Sequence, residues 1–161
     1  MIDNIMEKFK EIKLLVTDFD GVHTDNRVLV SEDGKESIFC DRADGLGIEM
    51  LKKKGIEVFV ISKEKNKVIQ ARCDKLKIDC WHGIDDKITL FKKEVGKRGV
   101  SLENVCFIGN DINDLECIEI AGIGVAVADS YPQVLEIANY ITKAKGGHGA
   151  IREICDLILA P

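Results

Sequence analysis

Two aspartates spaced two apart, Asp18 and Asp20, follow the apolar run Leu14-Leu15-Val16 and precede Gly21, which opens a turn. At strand spacing, residues i and i+2 face the same way. Both carboxylates therefore point into one crevice, where they repel each other unless a proton or a metal ion separates them. A purely structural role would cost stability for no gain. A carboxylate can attack an anionic phosphorus only if something neutralises the approach. Mg²⁺ does this, taking one or two carboxylates and filling its octahedron with water and substrate phosphate oxygens. Asp18 is then a nucleophile, and Asp20 can protonate a leaving alkoxide and later deprotonate water.

Further groups fall just beyond predicted strands or at a helix start. Ser62 follows Val58-Phe59-Val60-Ile61, and Lys87 opens a helix after Asp86. Asp111 and Asp114 lie in Gly-Asn-Asp-Ile-Asn-Asp behind the strand Asn104 to Ile108. Asp111 is the natural second carboxylate for the metal, and Asp114, one helical turn on, could orient a water or a ligand. Lys87 offers a fixed positive charge and Ser62 a hydroxyl to phosphate oxygens; Gly21 joins them as a phosphate-binding candidate. A lone Asp-x-Asp is a weak signal, and the ordered set is a strong one.

The elements that must position these groups alternate. Helices are predicted over Ala43–Lys54, Glu64–Lys77, Asp86–Arg98, Leu115–Ala121, Tyr131–Ala138 and Ala150–Leu159, with strands at Val58–Ile61, Asn104–Ile108 and Val125–Val127 between them. That order implies an α/β fold with a doubly wound, mostly parallel, Rossmann-like sheet, whose ligands sit beyond the carboxyl ends of its strands. The irregular piece is a hairpin insertion over about residues 26–41, in which Val28, Val30, Ile38 and Cys40 flank Asp33-Gly34. Residues 1–161 read as one domain.

Composition narrows the partners. Net charge is −5 and no basic stripe occurs, so nucleic acid is not an expected partner. No apolar run reaches the length of a membrane span, and the first residues lack a secretory core. The six cysteines form no Cys-x-x-Cys pair and mostly sit in apolar patterns, as expected of buried thiols in a reducing cytoplasm.

With these residues in view, the chain resembles the haloacid dehalogenase superfamily of phosphohydrolases. Asp18-Phe19-Asp20-Gly21-Val22-His23-Thr24 is similar to the first motif of that family. Val60-Ile61-Ser62 is similar to the second, Lys87 to the third and Gly109 to Asp114 to the fourth. The resemblance implies an aspartyl-phosphate on Asp18, acid–base work by Asp20, and Mg²⁺ held by Asp18, the Asp20 carbonyl and Asp111. The hairpin and the tail Lys145-Gly146-Gly147-His148-Gly149-Ala150-Ile151-Arg152-Glu153 resemble the capless branch acting on 3-deoxy-D-manno-octulosonate 8-phosphate and nine-carbon relatives. That branch implies a homotetramer in which a neighbouring subunit closes each active site.

Two departures bear on substrate. Lys63 stands where the branch usually has Gly, and Glu64 where the octulosonate enzymes tend to carry Arg. Glu64 with Arg72 and Lys75 looks more like the enzymes for nine-carbon 9-phosphates, with Arg72 and Lys75 free to meet a sugar-acid carboxylate. His148, in a place often held by Arg, leans the same way, so a nonulosonate 9-phosphate is slightly favoured. His23 is expected at the pocket mouth. The alternative is a weakly active or inactive oligomerisation module like the phosphatase-like domain of acylneuraminate cytidylyltransferases.

Overall fold

Leu14, Leu15 and Val16 are apolar without alternation, which a strand can sustain only if both its faces are covered. They form β1 (Leu14–Thr17) at the centre of the sheet. The computed structural model describes residues 2–161. Parallel neighbours flank β1 on both sides, β4 (Glu57–Ile61) on one and β6 (Val105–Gly109) on the other. β5 (Asp79–Trp81) lies outside β4, and β7 (Ile123–Ala126) and then β8 (Tyr140–Ile141) lie outside β6. The described residues thus form a six-stranded parallel sheet, as the alternating pattern predicts.

Each face of the sheet has its own core. Leu15 of β1 packs with Phe9, Ile48, Leu51, Ile151 and Ile154, from α1 (Ile2–Lys10), α2 (Arg42–Lys53) and α7 (Ala150–Ile158). Its neighbours Leu14 and Val16 pack the other way, with Phe91, Cys117 and Val134 from α4 (Lys87–Lys97), α5 (Leu115–Ile120) and α6 (Pro132–Ile137). The chain leaves β1 toward β4 and later crosses to β6, so the strand order reverses at β1. A crevice opens at such a point beyond the strand ends. Among the described residues, no helix is long and apolar enough to cross a membrane.

Three local features differ from expectation. The hairpin shrinks to β2 (Leu29–Val30) and β3 (Glu36–Ser37), two pairs in register, because an isolated two-stranded ribbon has no face to bury. The charged helix, α3 (Lys67–Leu76), begins three residues later than Glu64, since the Asn66 side chain accepts from Val68 N–H and caps it. β8 is too short to show a period and was not expected.

Asp44, in the first turn of α2, ties that helix to α7: one carboxylate oxygen accepts from Arg152 N–H at 2.8 Å. The other is buried without a partner among the described residues. Burial pushes this carboxyl from its ordinary 3.8 up to about 6. The folded chain therefore holds the proton more tightly than the unfolded one. Stability falls as pH rises from about 4 to 6, by at most ~3 kcal/mol. Asp44→Asn is expected to add about 1–3 kcal/mol at pH 7 and to flatten that stretch of the profile in urea unfolding. Equal midpoints for the two proteins at pH 7 would refute this.

Candidate active site

The loop after β1 is shaped by hydrogen bonds that leave its carboxylates facing outward along the strand. Asp18 N–H donates to Ile108 O of β6 at 2.9 Å, fixing the exit from the sheet. Val22 and His23 N–H both donate back to Phe19 O, and Gly21 N–H donates to Thr24 Oγ1. Gly21 has φ +83°, and a Cβ there would lie 2.0 Å from Asn110 Nδ2. Only glycine suits that backbone and that approach. The tail presses on the same loop: Gly147 N–H donates to Val22 O, and a Cβ on Gly146 would lie 1.7 Å from Gly21 O. Part of the Gly-Gly-His-Gly run is therefore a backing plate for the Asp-x-Asp turn.

Lys87, 3% exposed, places Nζ 2.8 Å from both Asp18 Oδ1 and Asp114 Oδ1. Burial pushes the Asp18 carboxyl up to about 7; the Asp114 carboxylate adds to the push and Lys87 opposes it. Burial alone would lower the Lys87 ammonium, but the two carboxylates more than reverse that and raise it. Asp20 is raised by burial and then by Glu64, against the pull of Lys87.

The crevice is lined by four carboxylates, on Asp18, Asp20, Glu64 and Asp111, with Ser62, Lys63, Asn26, Asn110 and Asn113 between them. Ser62 sits at the end of β4, its N–H donating to Trp81 O, and its Oγ has no partner among the described residues. Asp20 Oδ2 is likewise buried and unpartnered. One end of the Asn110 carboxamide lies 3.2 Å from Asp18 Oδ2 and 3.0 Å from Asp20 O.

Asp18, Asp20, Ser62, Lys87 and Asp111 thus gather where the spacing placed them. Five further residues singled out in the sequence do not line the crevice. Asp114 stands behind the crevice: it is fully buried, holds Lys87 through Oδ1, and accepts from Asn110 and Asp111 N–H through Oδ2. Gly21 offers no amide to a phosphate, since its N–H is engaged by Thr24. Arg72 points away from the crevice, and its Nη2 donates to Asp41 O beside Gly45 of α2. Lys75, two turns into α3, borders a separate depression with Glu49 and Lys52. His23 is not at the mouth: it is buried, stacks on Phe19 at 5.0 Å, and bonds Thr17 Oγ1 through Nε2 at 2.8 Å. Burial and then Arg72 push that imidazole down to about 3, so it stays neutral. The three asparagines of the crevice escaped the sequence reading, although Asn110 stands directly behind a strand end.

A parallel sheet with an Asp-x-Asp turn at its switch point, backed by a buried lysine and a second acidic loop, defines a haloacid dehalogenase-like hydrolase. The family so described matches residues 77–154. The 3-deoxy-D-manno-octulosonate 8-phosphate phosphatase KdsC of Escherichia coli K12 is 36% identical over 97% of this chain and 84% of its own. A Moraxella catarrhalis 3-deoxy-D-manno-octulosonate 8-phosphate phosphatase, solved with magnesium, phosphate and KDO, superposes with a TM-score of 0.95 at 34% identity, over 99% of this chain and 92% of that one. The cobalt-bound deoxy-D-mannose-octulosonate 8-phosphate phosphatase of Haemophilus influenzae gives 0.90 at 33%, over 94% and 90%. The chain belongs to the haloacid dehalogenase-like hydrolases, in their 3-deoxy-D-manno-octulosonate 8-phosphate phosphatase family, and is by family a phosphatase.

Proposed function

We propose that the chain, as one hydrolase domain whose insertion is the hairpin, is a Mg²⁺-dependent phosphomonoesterase of 3-deoxy-2-ulosonate phosphates, with the eight-carbon 8-phosphate foremost. The buried Asp18–Lys87–Asp114 chain, at the floor of a crevice with two unpartnered polar groups, carries the reading. Asp18 attacks phosphorus, the ester P–O bond breaks, and Asp20 gives its proton to the leaving alkoxide. Asp20, now a carboxylate, takes a proton from the water that cleaves the aspartyl-phosphate and frees Asp18. Lys87 holds the Asp18 carboxylate in place, and Ser62 Oγ is available to donate to a phosphoryl oxygen.

Four carboxylates would repel a phosphate dianion, so this donor set fits a divalent cation entering first. The Asp18 carboxylate and the Asp20 carbonyl would hold it together with the Gly109–Asp114 loop. When bound, Mg²⁺ supplies neutralisation of the phosphoryl charge and polarisation of phosphorus.

The eight-carbon substrate is preferred because the relatives above are named for it and because Arg72 and Lys75, on which the nine-carbon preference partly rested, lie outside the crevice. Glu64 remains at the mouth as the candidate for discrimination. An inactive module is disfavoured by the intact lysine-bridged pair. With Mg²⁺ present, phosphate release from a panel of 8- and 9-phosphates is expected to give a kcat/KM for the eight-carbon acid at least about tenfold above the nine-carbon one. The reverse order would restore the nine-carbon reading; no release from any member would restore the module.

The crevice encloses about 110 Å³, well under the roughly 300–1,000 Å³ of sites that engulf a small molecule. It suits a phosphoryl group and leaves the sugar acid outside. Beside it, Val28, Leu29, Val30 and Phe39 of the hairpin are exposed, Phe39 at 84%, and Glu36 accepts from Asn66 to tie the hairpin to the α3 start. These support a homotetramer in which a neighbour's hairpin covers each crevice. A sedimentation mass of one chain, 17.9 kDa, at micromolar concentration would refute it.

A further inference from the structure

We propose that the ammonium of Lys63 donates to a phosphoryl oxygen of the substrate, beside Ser62 Oγ, and sets the affinity of the crevice for phosphate. The inference rests on the phosphomonoesterase reading above. The side chain is an addition, since the branch that the chain resembles usually has glycine at this position.

Charge balance singles Lys63 out. Among the described residues that line the crevice, Asp18, Asp20, Glu64 and Asp111 are acidic and Lys63 is the only base. Lys87 lies behind Asp18, is 3% exposed, and has its ammonium engaged by Asp18 and Asp114 at 2.8 Å each. Lys63 is uncommitted: it is exposed and forms no ion pair among the described residues. Other exposed lysines behave differently, and Lys10, Lys35, Lys53 and Lys97 each take a carboxylate at 3.0 Å or less. An arriving phosphate dianion therefore meets one free cationic side chain in this crevice.

The backbone fixes where that charge stands. Ile84 N–H donates to Ser62 O and Gly83 N–H to Glu64 O, both at 3.0 Å. Lys63 is thus held between two residues anchored to the segment after β5. Its Cα lies about 3.8 Å from that of Ser62, whose unpartnered Oγ lines the same space, so one phosphoryl group can accept from both. Lysine suits this role as a compact point charge with three donors on a flexible stem. The crevice has room for a phosphoryl group and not for the sugar acid, whose carboxylate is at the other end of an eight-carbon chain. The phosphate end is the anion within reach.

Calorimetric titration with inorganic phosphate in Mg²⁺ buffer reads this without turnover. Lys63→Met is expected to weaken phosphate binding about tenfold and to lessen its dependence on salt. Lys63→Arg keeps the charge and should stay within about threefold of the parent. In turnover, kcat/KM of the Met variant should fall about equally for the eight-carbon 8-phosphate and for p-nitrophenyl phosphate, which has no carboxylate. Unchanged phosphate binding with kcat/KM lowered only for the sugar acid would assign Lys63 to the sugar carboxylate and overturn the proposal. A loss that Lys63→Arg shares in full would trace to shape rather than charge and overturn it too. No change in either measurement would make Lys63 a solvated side chain and leave the phosphatase reading standing. A parent that binds no phosphate at millimolar concentration and releases none would overturn both readings together.

Discussion

Asp18→Asn is expected to lower phosphate release by at least about 10⁴-fold while the protein stays folded. The carboxamide matches the carboxylate in shape, and its oxygen can still accept from Lys87 Nζ, which stands 2.8 Å from Asp18 Oδ1. What it lacks is the anionic oxygen that attacks phosphorus and carries the phosphoryl group. Burial and Asp114 already push the Asp18 carboxyl up to about 7, so the charge is held there at a cost. Removing it should leave the urea midpoint at pH 8 no lower than the parent's. That outcome separates a chemical defect from an unfolded one. A second observable is covalent: after acid quenching, a peptide containing Asp18 should carry a phosphoryl group in the parent and none in the variant. Equal release from both proteins would sink the mechanism, and a phosphorylated variant would move the nucleophile elsewhere.

The parts of this site that were legible in the sequence are those whose local chemistry is unusual in itself. An unbroken apolar run ending in Asp-x-Asp-Gly has little meaning outside a buried strand that delivers two acids to a crevice, and β1 does this. Gly109 to Asp114, with two asparagines and two aspartates behind a strand end, reads alone as a capped turn and gained its meaning from the order of the set. Lys87 was placed correctly only through the order of the motifs, since a lysine at a helix start is ordinarily solvated; here it is buried between two carboxylates.

What could not be read depended on directions that no periodicity encodes. Glu64, Arg72 and Lys75 look like one helical face in sequence. The Asn66 cap delays α3, so Glu64 stays in the loop at the crevice while Arg72 turns toward α2 and Lys75 ends up on the far turn. His23 and Asp114 lie within motifs that do chemistry, yet both face inward, one stacked on Phe19 and the other bonded to Lys87. Asn110 was overlooked for the opposite reason: an uncharged side chain carries little signal in a sequence, and only its distances to Asp18 and Asp20 bring it into the crevice.

Lys87→Met is expected to remove activity and stability together, and pH separates the two losses. The substitution keeps much of the buried stem but takes the cation from between Asp18 and Asp114, leaving two carboxylates in a desolvated place. Breaking a buried charge arrangement by deleting one member costs about 3–5 kcal/mol. Lys87 is also the group that lowers the Asp18 carboxyl, so in the variant that carboxyl rises above about 7. A raised acid binds its proton more tightly in the folded chain than in the unfolded one, and its contribution to stability is lost as pH rises. The deficit against the parent should therefore be smallest near pH 5, where Asp18 can be protonated in both proteins, and should widen through pH 7 and above. Guanidinium unfolding across that range measures it; a gap that is constant or shrinks with pH would contradict the bridged-pair account. Adding Asp114→Asn to the variant removes the second carboxylate and should return much of the stability. It should leave phosphate release down by about 10³-fold, because the fixed positive charge at Asp18 is still missing.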